Sequence, residues 1–259
     1  MPINSSILLT SMDERGVMTL TLNRPDAFNA MSEALLEALQ ASITHMSEDP
    51  NLRVVVIQAN GKAFCAGHDL KEMRAQPSDS YYRDLFSRCS QVMMGLQNLP
   101  VPVIAKVHGL ATAAGCQLVA QCDLAVSSDN ATFAVSGVNL GLFCATPSVA
   151  LTRNLSRKAA FEMLATGAFI SATQAVEKGL LNYAVSVDEL DNKVAEMVDT
   201  ILQKPRVALA MGKALFYRQL ETSMGAAYED ATTTMACNMM DASALEGVQA
   251  FIDKRKPNW

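Results

Sequence analysis

The sequence predicts an α/β core followed by a helical extension, and three observations carry that reading. Strand-like apolar runs alternate with helix-period stretches through the first half, whereas from Arg157 onward the signal is mostly helical. Half of the 259 residues are hydrophobic and 18% are charged, enough apolar material for a sizeable core. No Pro/Gly/Ser linker separates the halves, and neither half shows low complexity or a repeated period.

The elements follow in order. Val17–Leu22 alternates apolar and polar side chains, as a half-buried strand does. Asn23–Arg24–Pro25–Asp26 is turn chemistry, and Ser32 is an N-cap candidate for a helix carrying Leu35, Leu36 and Leu39. Arg53–Gln58 is too β-branched for a helix and reads as a strand. Tyr81 to Leu99 reads as a long helix closed by Pro100. Val101–Val107 is almost wholly apolar, the mark of a strand buried on both faces. Asp123–Ser127 and Thr132–Val135 read as two more strands. Helices are expected over Arg157–Thr166, Ser171–Glu177, Val187–Leu202, Pro205–Leu220 and Met224–Arg255.

Composition narrows the function. A net charge of −5 disfavours nucleic-acid binding, which needs a clustered basic face. Cys65, Cys89, Cys116, Cys122, Cys144 and Cys237 form no CxxC pair and have no His at zinc spacing, so no metal is expected. Their apolar neighbours imply buried, reduced thiols, and with them a cytoplasmic protein. MPINSSILLTSMDERG lacks the basic and long apolar regions of a signal peptide. No apolar run reaches the roughly 18 residues that span a bilayer, so no membrane partner is expected. His45 and His108 lack the partner spacing of a metal site or triad and read as structural.

Two small-residue segments carry the chemistry. Gly61–Met73 and Gly109–Leu118 each follow a strand, and neither matches GxxxxGK[ST] or GxGxxG. Small residues there let a ligand approach the backbone and let a helix begin beside it. Taken singly, each segment is equally open to a close-packing role.

Together, AFCAGHDLKEM and G-x-A-x-A-A-G-C-Q-L-x-x-x-C-D resemble the crotonase, or enoyl-CoA hydratase/isomerase, superfamily. NRPDAFNAM (Asn23–Met31) and the tail AFIDKRKPNW extend the resemblance from about residue 8 to 257. Residues 101–151 are most similar to the enoyl-CoA hydratase domain-containing protein 3 group. The resemblance implies a spiral of ββα units over residues 1–200, bearing an acyl-CoA site. Residues 201–259 then form a helical region that builds trimers or dimers of trimers. It implies an acyl-CoA thioester as partner, with coenzyme A entering as part of the substrate and no separate cofactor.

By the same resemblance, the thioester oxygen sits between two backbone N–H groups, those of His68 and Ala114. Lys62, Ala63, Phe64, Ala66, Gly67, Asp69 and Leu70 are the expected substrate contacts along the first loop. Asn139 and Cys144, with Thr146, fall at the acyl end, and Lys254 in the basic tail matches a position that reaches a phosphate. The imidazole of His68 has two readings: a catalytic group, or a side chain of which only the amide matters. Asp69 and Glu72 read as helix caps or as acid/base groups. Cys144 reads as a nucleophile only if the following helix lowers its pKa.

The chain departs from the pattern at the acid/base pair. The family's two glutamates fall at Gln117 and Gly137, and neither residue exchanges a proton near neutral pH. Losing both exceeds the roughly 10²–10⁴-fold assigned to one such group. Ordinary hydration is therefore expected to be poor. Enolate or oxyanion stabilisation, non-catalytic acyl-CoA binding and RNA binding remain the competing readings, the last disfavoured by charge.

Overall fold

The alternating run Val17–Leu22 becomes strand β2, but it is buried on both faces rather than one: Met18, Leu20 and Leu22 join the main core, whereas Val17 packs on the opposite side. In this computed structural model, which describes residues 7–259, β1 (Leu8–Met12) pairs antiparallel to it from Leu8↔Leu22 to Met12↔Met18. The first six residues of the leader reading lie outside the described residues. Ser32 caps α1 (Glu33–Glu48) by accepting from the Leu35 N–H, and Leu35, Leu36 and Leu39 form its buried face.

Three ββα turns follow. The first is β3 (Val54–Ala59), β4 (Ala63–Cys65), the short α2 (Leu70–Ala75) and the long α3 (Asp79–Asn98). The second is β5 (Val103–Val107), β6 (Leu110–Thr112) and α4 (Ala114–Gln121). The third is β7 (Leu124–Ser128), β8 (Thr132–Ala134) and α5 (Ala145–Asn154). Next come α6 (Arg157–Thr166), β9 (Ile170–Ser171), α7 (Ala172–Lys178), β10 (Tyr183–Val185) and α8 (Leu190–Leu202). The first strand of each turn joins a six-stranded sheet ordered β1-β2-β3-β5-β7-β10. The second joins a four-stranded sheet ordered β4-β6-β8-β9. Pairings are parallel except β1–β2 and β8–β9, so successive turns stack as the expected spiral.

The apolar strands have two buried faces because the large sheet is covered twice. One face packs into the main core with α1, α3 and α4. On the other, Val17, Val54, Val56, Ile104 and Val126 meet Leu190, Val194 and Val198 of α8.

The C-terminal helices stand apart from both cores. α9 (Arg206–Gln219) and α10 (Met224–Met239) contain no buried residue, and α11 (Ala242–Ile252) buries only Ala250. The continuous helix expected over Met224–Arg255 is divided, because Asp241 starts α11 by accepting from the Ser243 N–H at 2.9 Å. α9 is tethered by Lys213, whose ammonium meets Asp123 at 2.7 Å and also donates to the Leu96 and Val101 carbonyls. One thiol departs from expectation: Cys237 on α10 is exposed, whereas the other five are buried. Among the described residues no helix is long and apolar enough to cross a membrane.

Candidate active site

The pairing of β4 with β6 brings the two small-residue segments together. Gly115 is packed against β4 so closely that a Cβ would lie 2.1 Å from the Cys65 carbonyl oxygen. Gly67 turns at φ +97°, where a Cβ would lie 2.9 Å from that of Ala113 and 3.4 Å from the Ala114 nitrogen. Ala113, the residue before α4, is itself held at φ 49° and ψ −118°. That is a costly conformation for a side chain with a Cβ, and such strain concentrates at functional sites.

This geometry exposes two donors. Met31 pairs with His68 as a parallel bridge: its N–H donates to Gly67 O (2.7 Å), and its carbonyl accepts from Asp69 N–H (3.2 Å). The His68 N–H therefore points the other way and has no hydrogen-bond partner among the described residues. Ala114 opens α4, so its N–H has no acceptor within the helix. Both residues line one cavity of 630 Å³, within the range of small-molecule sites. Its walls are largely apolar, with Phe28, Met73, Phe86, Leu142 and Phe143 among them.

Asp69, Glu72 and His68 are held in place by their surroundings, whereas Asp26 and Lys71 are exposed on the lining. Asp69 caps α2 through the Lys71 and Glu72 N–H groups and pairs with Arg24 at 2.9 Å. Burial works to raise its pKa, but Arg24 and the two backbone donors together hold it below the usual carboxylate range. Glu72 accepts from the Glu33 N–H at 2.8 Å. The His68 ring meets the edge of Phe86 with centroids 5.4 Å apart, and among the described residues neither ring nitrogen makes a hydrogen bond of ordinary geometry, the Met31 backbone offering only a weak opposing interaction. Burial pushes its pKa down to about 4, so the imidazole is neutral at physiological pH. Cys144 lies on the cavity, but burial raises its thiol pKa against a backbone hydrogen bond at Gly137. The helix after it creates no thiolate, which removes the basis for a nucleophile.

The two positions that the resemblance matches to glutamates, Gln117 and Gly137, differ. Gly137 lines the cavity, whereas Gln117 is buried (3% exposed) outside the lining, with its Oε1 unpartnered. A Cβ at Gly137 would lie 2.5 Å from the Leu142 carbonyl oxygen and 2.8 Å from Cys144 Sγ. The barrier to a carboxylate there is steric.

Ala66, Asp69, Leu70 and Thr146 also line the cavity. Ala63 and Phe64 do not, because they are buried as part of β4, and Lys62 is exposed before it. Asn139 is turned away toward Gly167, with Nδ2 3.4 Å from its carbonyl oxygen. Lys254 lies exposed beyond α11 and off the lining. Sequence reasoning missed Arg24 as a site residue, although it sits in the NRPD turn that carried part of the resemblance. It also missed Phe86 and Phe143, which occupy ordinary apolar positions and give no separate signal.

The family model for enoyl-CoA hydratase/isomerase matches residues 12–259. The mitochondrial enoyl-CoA hydratase domain-containing protein 3 of Rattus norvegicus is 43% identical over 258 residues, 100% of this chain and 86% of the relative. The Homo sapiens counterpart is 46% identical over 244 residues, 94% of this chain and 80% of the relative. Among solved structures, an enoyl-CoA hydratase of Mycobacterium smegmatis superposes with TM-score 0.98 at 64% identity, covering 98% of this chain and 99% of that one. The human domain-containing protein 3 superposes with TM-score 0.94 at 44% identity, covering 98% and 100%.

These relatives correct the expected cytoplasmic location. The vertebrate proteins that match nearly the whole chain are named mitochondrial. Reduced buried thiols do not separate one reducing compartment from another, so the cysteines were too weak a basis for that placement. Fold, matched span and identity agree, and the chain belongs to the enoyl-CoA hydratase/isomerase family of the crotonase superfamily.

Proposed function

We propose that the protein binds an acyl-CoA thioester in the 630 Å³ cavity, with the thioester oxygen between the His68 and Ala114 N–H groups. The observation that carries the reading is the presence of these two unpaired donors on one largely apolar cavity. Fixed donors aimed at a developing oxyanion are worth a few kcal/mol each, because they need no reorganisation as charge forms. Enolate formation is the step such a site favours.

Ordinary hydration is not the reaction this site favours. Adding water across the enoyl double bond needs a group to take the water proton and return one to the substrate. Gln117 and Gly137 hold no carboxylate, Asp69 is committed to Arg24 and the α2 cap, and His68 is a weak base. Proton transfer would then fall to the substrate itself, to water or to Asp26, an exposed carboxylate on the cavity lining. The same geometry supports non-catalytic acyl-CoA binding as the second reading.

Trimeric assembly, or a dimer of trimers, belongs to the same proposal. Phe216, Leu220, Met224, Tyr228, Met235 and Met240 are all more than half exposed on the C-terminal helices, an apolar surface that a second copy would cover.

Incubation of the protein with a panel of CoA thioesters, followed by mass spectrometry, tests the function. Double-bond movement, decarboxylation or thioester cleavage supports an enzyme; binding without turnover supports the second reading. Absence of both binding and turnover across the panel overturns the proposal.

A further inference from the structure

A second cavity, of 450 Å³, lies at the opposite end of the large sheet. The first opens beyond the end of β2, at Arg24–Phe28, whereas the second lies where the parallel neighbour β3 begins, at Arg53. They share no lining residue.

Three cations stand on its wall. Arg53 precedes β3, and Lys204 and Arg206 flank the turn from α8 into α9. The Arg53 head is fixed by Nη2 donating to the Leu202 and Lys204 carbonyls at 3.1 and 2.9 Å. Arg206 is fixed by Nε to Leu52 O (3.0 Å) and by Nη2 to Asp49 O (3.5 Å). These bonds orient the guanidiniums without neutralising them. Among the described residues none of the three cations makes an ion pair. Among the described residues, Nε and Nη1 of Arg53 and Nη1 of Arg206 carry no hydrogen bond.

The one side-chain carboxylate on the lining, Asp241, is engaged by the Ser243 N–H and hydroxyl as the cap of α11. The first turn of the 14-residue α9 also lines the cavity, and Pro205 gives it no side-chain cap. Its unpaired N–H groups add to the positive field. Leu202, Val207, Ala242 and Asn258 share the remaining wall with Trp259, whose Nε1 donates to Gln203 O at 3.1 Å and whose ring packs beside Gly247. The side chain keeps an exposed surface.

We propose that this cavity binds a nucleotide, its phosphates on Arg53, Lys204 and Arg206 and its base against the Trp259 indole. Oriented guanidiniums with free N–H groups suit phosphate oxygens. A half-exposed indole suits a base, since every base has a face to stack. An excess of positive charge with a flat aromatic wall fits that combination better than either a bare anion or an apolar ligand.

Trp259 is the single tryptophan of the chain, so its fluorescence reports on this cavity. The probes are ADP, inorganic pyrophosphate and adenosine, titrated separately into the full-length protein. ADP is expected to change the emission saturably, with pyrophosphate weaker and adenosine weaker still. Lys204 is exposed and among the described residues its ammonium holds no partner, so Lys204→Glu leaves the fold intact. It is expected to weaken ADP by about tenfold, or about 1.4 kcal/mol. Lys71→Glu, on the wall of the first cavity, leaves the titration unchanged. The proposal is overturned by no saturable change up to about 10 mM ADP. An unchanged Kd in Lys204→Glu, a Kd that moves with Lys71→Glu, or pyrophosphate binding as tightly as ADP overturns it equally.

Discussion

At Gly115 a single methyl group would fall 2.1 Å from the Cys65 carbonyl oxygen, deep in the contact between β4 and α4. Backbone on both sides cannot move independently, so Gly115→Ala is expected to cost about 3 kcal/mol or more. Chemical denaturation reads this as a lower midpoint. His68 supplies a pH prediction. Its folded pKa is about 4 and its ordinary value 6.5, so the unfolded chain binds the extra proton between them. Stability is therefore full above pH 6.5 and falls as the pH drops toward 4, by up to about 3 kcal/mol. In His68→Asn that part of the pH dependence should disappear. The sequence named His68 and Ala114 as a pair through the motifs around them. It held no sign that Ala113 sits at positive φ, or that Gln117 turns its amide outside the cavity. Both depend on how α4 is seated against β4, a contact between segments far apart in the chain.

Among the elements, legibility followed local pattern more than length, since β8, with three residues, was expected within Thr132–Val135. β2, β3, β5 and β7 have five or six residues, and β2 showed by its alternation and β3 and β5 as apolar runs. β4 and β6 have three each, too few to show a period, and they sit inside the small-residue segments. β1 escaped because it is an edge strand with only Leu8 buried. The division between α10 and α11 was signalled by Asp241 at an N-cap position, a local cue hidden in a long apolar helical pattern. α9 buries no residue of its own, so its seat depends on the Lys213 ammonium. Burial lowers the Lys213 pKa while Asp123 opposes that shift, and the Tyr217 hydroxyl donates to the same carboxylate at 2.7 Å. Removing one partner strands the other, so Lys213→Ala is expected to cost about 3–5 kcal/mol. A loss below about 1 kcal/mol, the scale of a surface pair, contradicts that seat.

For the whole molecule, the spiral places the two donors at one end of the sheets and leaves the C-terminal helices apolar and uncovered. Light scattering at micromolar concentration is expected to give three or six times the 27.9 kDa chain mass. A mass of one chain would mean that those helices stay exposed in solution. The central claim joins a working pair of oxyanion donors to the loss of the acid/base carboxylates. Carbon NMR of crotonyl-CoA labelled at the thioester carbonyl reads both halves in one sample. The account predicts a bound carbonyl signal shifted downfield by hydrogen bonding, with the substrate persisting unhydrated. An unshifted bound signal would contradict it, as would hydration within about tenfold of an ordinary hydratase, a difference of only about 1.4 kcal/mol in barrier.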